Sequence, residues 1–283
     1  CVTGVQTCAL PIFLSVVHKI SKRKPGEPFC TSTLQQWASS QWQWNTRATM
    51  SVAQSLYEKG CITYHRTESK SIAEEFVEKM LKYLTDKYGE SFVKHKVARK
   101  KDGKTLAHEC IRPTTVCIQE QTLTNEERKL YDAIYIRTMQ SVMTEAVMNV
   151  LTVRISCPIP KQYYEKNVET VQFEGYRIMD QGKNTTKKEI SYEPNTIVEI
   201  RKIKLDQMIK NTAHHYSEGQ IVKLLDEKKI GRPSTFSSFV EKILVRNYVY
   251  RGTFEGKSHE LLSLSCVFPN AVEETKITKQ TIE

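Results

Sequence analysis

The hydrophobic period of this chain changes twice, and that change constrains the fold more than any single motif. Between Pro28 and Val147 apolar residues recur at helical spacing: Val52 and Leu56, then Ile72, Phe76, Met80, Leu84 and Tyr88, then Leu130, Ile134, Met139, Val142 and Val147. Residues 150–155, 168–178 and 197–203 instead alternate, are rich in β-branched side chains and are separated by polar turns. From Ser217 the helical spacing returns, through Ile221, Leu224 and Leu225, and again through Phe236, Phe239, Val240, Ile243 and Leu244. An all-helical bundle and an all-β sandwich are both excluded. The expected class is α+β multidomain, with helical units on either side of a β-rich section.

Local signals divide the chain further. Ser71-x-x-Glu74, Thr124-x-x-Glu127 and Ser217-x-x-Gln220 have capping-box spacing, and Thr31, Ser32 or Thr33 can cap a helix running toward Ser39. A helix from about Ala48 to Lys59 stops at Gly60, and the next one stops at Gly89. Residues 62–64 and 248–250 read as short strands, and the basic, apolar-poor stretch 94–106 as a solvated loop. Residues 1–12 lack an initiator Met and look like translated sequencing adapter, so they are left out of the fold. The expected units are 13–27, a strand and Pro/Gly linker; 28–147, helical; 148–208, β-rich; and 209–283, a second helical unit that is divergent or truncated from Arg251.

Bulk properties narrow the partners. With 42 basic and 32 acidic side chains the net charge is +10, which suits a polyanion. No apolar run reaches the ~18 residues that span a bilayer. The eight cysteines include no C-x-x-C pair, so neither a zinc ribbon nor a disulfide framework is indicated. No D-x-D motif is present.

Chemistry concentrates just after Gly60. Tyr64 lies two residues before Arg66. A phenol is a covalent nucleophile once its proton, lost freely only near pH 10, is removed. A guanidinium beside it supplies fixed charge and a fork of donors for phosphate oxygens. The pair suggests attack on a phosphodiester. Four further blocks surround it in order: Pro28-Phe29-Cys30-Thr31-Ser32-Thr33-Leu34-Gln35-Gln36, then Thr46-Arg47-Ala48, then Ala107-His108-Glu109-Cys110-Ile111-Arg112-Pro113, and Gly231-Arg232-Pro233-Ser234-Thr235.

Together these blocks resemble the type IA DNA topoisomerases over roughly residues 15–250. The resemblance implies two winged-helix (CAP-like) domains joined by a β-rich arch. It implies that Tyr64 breaks one DNA strand, keeps the 5′ phosphate and releases a 3′ hydroxyl, resealing without ATP. Arg66 and His108 would assist at the scissile phosphate. Arg47, Thr31, Ser32, Gln35, Arg112, Arg232, Ser234 and Thr235 would contact DNA, although Arg112 also fits a structural ion pair. Trp37, Trp42 and Trp44 fit either base stacking or packing. Two positions depart from the family: His65 stands where an apolar residue or proline is usual, and Glu68 where Asp is usual.

In that family Mg²⁺ is held by an acidic Toprim domain, which these residues do not contain. No metal ligand is therefore transferred, and the chain by itself is expected to hold no Mg²⁺ and to be inactive. The implied substrates are single-stranded and negatively supercoiled DNA, acted on by a monomer away from membranes, in the cytoplasm with the nucleoid if the lineage is bacterial. Two rivals stay open. A non-catalytic winged-helix DNA reader would leave the Tyr64–Arg66 pair unexplained. A tyrosine recombinase would need dispersed arginines and a tyrosine near its C-terminal end.

Overall fold

The computed structural model describes residues 12–94, 108–117, 122–156, 161–180, 195–199, 201–210, 215–252, 257–267 and 272–282. Residues 1–11 and most of the loop expected at 94–106 lie outside them. Helices begin where side chains satisfy orphan backbone N–H groups. α1 (Thr31–Trp42) is entered at Cys30, whose N–H donates to the Thr33 hydroxyl at 2.9 Å. Asn45 caps α2 (Thr46–Glu58) by accepting from Ala48 N. Reciprocal boxes form at Thr124/Glu127 on α4 (Asn125–Ser141) and at Ser217/Gln220 on α5 (Glu218–Glu227). The box expected at Ser71 does not form. The Ser71 hydroxyl pairs with Ser69 Oγ at 2.7 Å, its carbonyl accepts from Cys110 N, and α3 (Glu74–Tyr88) starts from Ala73.

Leu34 of α1, Leu56 of α2, Met80 and Leu84 of α3, and Leu130, Ile134 and Met139 of α4 are fully buried together. Burying side chains of this size contributes about 1.5–3 kcal/mol each. Trp37, Trp42 and Trp44 pack on one another at the edge of this core, with successive ring centroids 4.8 Å apart. Helix α4 was expected to run through Val147, but it stops at Ser141. Lys94 N donates to the Val142 carbonyl and Val93 bridges Met143, so the chain after the helix turns along Val93 instead.

β1 (Phe13–Arg23), β2 (Ala146–Ser156) and β3 (Tyr163–Phe173) form an antiparallel sheet in that order. β3 does not reach Ile178. Gly175 takes φ 52°, and a Cβ there would meet the Glu145 carbonyl oxygen at 2.4 Å. The chain closes into a 3-10 turn (Gly175–Met179) against α4, where the Gln140 amide donates to the Tyr176 carbonyl. The strand expected at 197–203 is split. Ile197 makes one bridge to Ile12, while β4 (Lys202–Asp206) joins β5 (Lys257–Val267) and β6 (Val272–Ile282) in a second antiparallel sheet.

α5 and α6 (Phe236–Val245) bury Val222, Phe236 and Val240 in a smaller core that shares no residue with the first. Residues 248–250 are not a strand, because the Asn247, Tyr248 and Val249 N–H groups donate back to the Leu244 and Ile243 carbonyls of α6. Gly219 lets α5 approach α1 closely, since a Cβ there would lie 2.8 Å from Ser39 Cβ. None of the described helices is long and apolar enough to cross a membrane.

Candidate active site

The chain leaving α2 at Gly60 (φ 69°) runs against residues 110–114. Ile62 bridges Pro113, Thr63 N donates to the Arg112 carbonyl at 2.9 Å, and Thr114 N donates to the Cys61 carbonyl at 3.0 Å. The Thr63 hydroxyl donates to the Cys110 carbonyl at 2.7 Å and accepts from Arg112 N at 3.0 Å. On the far side, buried Thr31 receives the Thr67 N–H at 2.9 Å and sets its hydroxyl 2.8 Å from the His65 carbonyl. Tyr64 is thus held between two anchored stretches.

The half-buried Tyr64 ring meets Tyr57 edge-on at 5.4 Å and lies against His108 at 4.9 Å. Together with Thr63 and Glu109 these rings line a cleft of about 590 Å³. Arg66 is exposed and makes no ion pair among the described residues. Tyr57, the last-turn residue of α2 that faces Tyr64, is a member of the site that sequence reasoning missed. Its place seven residues before Tyr64, just ahead of the Gly60 stop, was the available signal.

The other expected residues separate by environment. Arg112 is committed within the protein: Nε and Nη2 donate to the two oxygens of Glu109 at 2.7 Å, Nη1 donates to the Pro113 carbonyl, and the guanidinium covers the Phe76 ring. Of its two expected roles, the ion pair is the one this geometry displays. Thr31 and Gln35 are buried, and the Gln35 amide has no hydrogen-bond partner among the described residues. Ser32 donates to Asp226, Arg47 pairs with Glu241, and Arg232 pairs with Glu68. The Thr235 hydroxyl closes a local turn by accepting from Arg232 N, and Ser234 is exposed.

His65 is buried with neither ring nitrogen hydrogen-bonded among the described residues, and it packs near Tyr57 and Tyr64. Burial, reinforced by Arg66 and opposed by Glu58, pulls its pKa down to about 4. The neutral ring therefore contributes stability that is intact above the unfolded value near 6.5 and is lost as pH falls toward 4. His65→Met is expected to flatten this loss, by on the order of 2–3 kcal/mol between pH 7 and pH 4. Urea unfolding of both proteins across that range measures it, and parallel pH profiles would contradict it.

The divalent cation implied by the resemblance does not fit here. Among the described residues no three His, Cys, Asp or Glu side chains converge to hold an ion. Glu109, the carboxylate of the cleft, is occupied by Arg112.

Comparison with known proteins gives consistent results. A family model described as DNA topoisomerase matches residues 13–278. The chain is 32% identical over 243 residues to DNA topoisomerase 1 of Aquifex aeolicus (strain VF5), an alignment covering 82% of this chain and 45% of that one. It is also similar to the solved structure of full-length topoisomerase I from Thermotoga maritima, at a TM-score of 0.72 and 28% identity, over 88% of this chain and 42% of that one. The chain spans less than half the length of either relative.

Proposed function

The chain belongs to the type IA DNA topoisomerase family, and from that membership we propose that it carries the nucleophile of a single-strand DNA breaking and rejoining enzyme. Tyr64 Oη attacks a backbone phosphorus, the phenolic proton is released, and the bond from phosphorus to the 3′ oxygen breaks. The departing oxygen takes up a proton as a 3′ hydroxyl, and the 5′ phosphate stays on Tyr64. The linkage keeps the phosphodiester's energy, so the reverse attack reseals the strand without ATP. Passage of a second strand through the break relaxes negative supercoils. Arg66 stabilises charge gathering on the phosphate oxygens, and His108 donates to one of them. Mg²⁺ belongs to the part of the whole protein that carries the acidic cluster, and no step here runs through it.

The observation that carries this reading is the placing of Tyr64 in an open cleft beside His108, two residues from an exposed guanidinium that makes no ion pair among the described residues. On the same reading, α5 and α6 with the turn between them act as a helix-turn-helix DNA contact, and the β1–β2–β3 sheet is the arch between two winged-helix-like units. Single-stranded and negatively supercoiled DNA are the substrates, and one copy of the chain suffices. The decisive experiment joins the Toprim portion of a relative ahead of residue 13 and mixes the product with labelled single-stranded DNA and Mg²⁺. A denaturation-resistant adduct on the 5′ phosphate is expected. An adduct on the 3′ phosphate, or none at all, would overturn the proposal.

A further inference from the structure

The last turn of α2 carries Tyr57, and the chain reaches Tyr64 seven residues later, so whatever fixes that turn bears on the cleft. The turn closes as a Schellman motif. Gly60 N donates to the Tyr57 carbonyl and Cys61 N to the Leu56 carbonyl, both at 2.9 Å. Leu56 and Cys61 are buried, and Lys59 is the C-cap residue.

A carboxylate from another helix grips this turn. Glu127, buried in the first turn of α4, accepts the Ser55 hydroxyl at 2.6 Å on one oxygen. The Lys59 ammonium donates to both of its oxygens at 2.7 Å, and Thr124 N donates to the second at 2.8 Å. These donors, Lys59 foremost, hold the Glu127 pKa down to about 2, so the carboxylate stays ionised throughout the neutral range. The charges also suit the helix dipoles, with a cation at the C-terminal end of α2 and an anion at the N-terminal end of α4. A glutamate at the third helical position needs only its own capping contact. The bonds from Ser55 and Lys59 are additional to the cap.

Where the grip acts gives it a bearing on the cleft. Ser55 and Lys59 are four residues apart and share one face of α2. Tyr57 is two residues from each, about 200° around the helix, and so lies on the opposite side. There its ring meets Tyr64 at 5.4 Å and His65 at 5.8 Å. The turn is held from behind by α4 while its front carries the ring that backs Tyr64. Helix ends fray where nothing ties them, and a roll of this turn would carry the Tyr57 ring off Tyr64.

We propose that Lys59, Glu127 and Ser55 are positioning residues for strand breakage: they lock the last turn of α2 so that Tyr57 keeps the Tyr64 ring in its reactive position. The proposal rests on the reading of Tyr64 as the nucleophile and adds the device that steadies it. The three residues act through Tyr57 and not on the DNA.

The test uses the Toprim-restored enzyme and a labelled single-stranded oligonucleotide, with single-turnover adduct formation at saturation and affinity as separate readouts. Lys59→Met, which keeps the stem and removes the charge, should slow cleavage about tenfold with affinity within about twofold of the unmodified enzyme, because a small misplacement of a reacting group is costly. Lys59→Arg should restore the rate to within about threefold, since a guanidinium can bridge both Glu127 oxygens. Lys79→Met, at an exposed lysine of α3, controls for net charge and should cleave at the unmodified rate. The sign of the Glu127→Gln effect separates a brace from a field effect. Glutamine still caps α4, so the brace predicts slowing of about tenfold that does not add to that of Lys59→Met. If Lys59 worked by attracting the phosphate, removal of a nearby anion would speed cleavage instead. Ser55→Ala, which removes one bond, should slow cleavage about threefold and decides the matter where Glu127→Gln melts early. An undiminished rate in Lys59→Met, or a faster Glu127→Gln enzyme, would overturn the brace and leave Tyr64 as the nucleophile. An unmodified enzyme that forms no 5′ adduct would overturn both.

Discussion

In a restored enzyme, Tyr64→Phe is expected to abolish the covalent DNA adduct while leaving strand binding close to that of the unmodified protein. The substitution removes one oxygen. The ring keeps its edge contact with Tyr57 at 5.4 Å and its contact with His108 at 4.9 Å, so the cleft retains its shape. Adduct formation is read by trapping labelled DNA under denaturing conditions, and binding by anisotropy with the same oligonucleotide. Loss of both together would point to a packing role for the hydroxyl. A persistent 5′ adduct would falsify the assignment of Tyr64 and direct attention to Tyr57, the nearest other phenol, with Tyr57→Phe as the immediate check.

Arg66→Ala carries the second large effect. The exposed Arg66 guanidinium makes no ion pair among the described residues and is open to an incoming phosphate, whereas Arg112 is held by Glu109. Removing one electrostatic contact to a developing charge typically costs about 10²–10³ in rate. Single-turnover cleavage should slow by that factor, with the nucleophile still able to form some adduct. Arg66→Lys should recover only part of the loss, because an ammonium supplies charge without the planar fork. Binding should lose a single phosphate contact, which lowers the slope of log K against log salt by about 0.7. An unchanged cleavage rate in Arg66→Ala would assign the charge stabilisation to another group.

What could be read from the sequence follows from how local each determinant is. The helical period located α3 and α4, and the caps at Thr124 and Ser217 were visible because both partners lie within four residues. Ser71 had the same spacing and failed, because its carbonyl and hydroxyl are claimed by Cys110 and Ser69. Alternation identified strand material at 197–203 but could not name its partner. β4 pairs with β5, whose residues come more than fifty positions later. The site divides in the same way. Tyr64, His108 and Arg66 stood out as short motifs, but burial cannot be read from a polar residue's identity. Thr31 and Gln35, expected at the DNA, are enclosed, and for Arg112, which fitted a phosphate contact or an ion pair equally, only the fold shows the pairing with Glu109. The contacts Ser32–Asp226, Thr46–Glu218 and Arg47–Glu241 gave no signal, since their partners lie 172–194 positions apart.

The short ladder at 61–63 and 112–114 also has a mechanical meaning. On the proposed mechanism, a strand joined covalently to Tyr64 would make that residue a joint through which torsion in the DNA pulls on the polypeptide. On one side the pull meets the bonds of Thr63 and Thr114 to the facing chain, and on the other the Thr31–Thr67 contacts. Several hydrogen bonds therefore share the load, and both anchors lead into the buried helical core. With the backbone fixed on both sides, the proposed mechanism would leave only the Tyr64 side-chain torsions to take up such a pull.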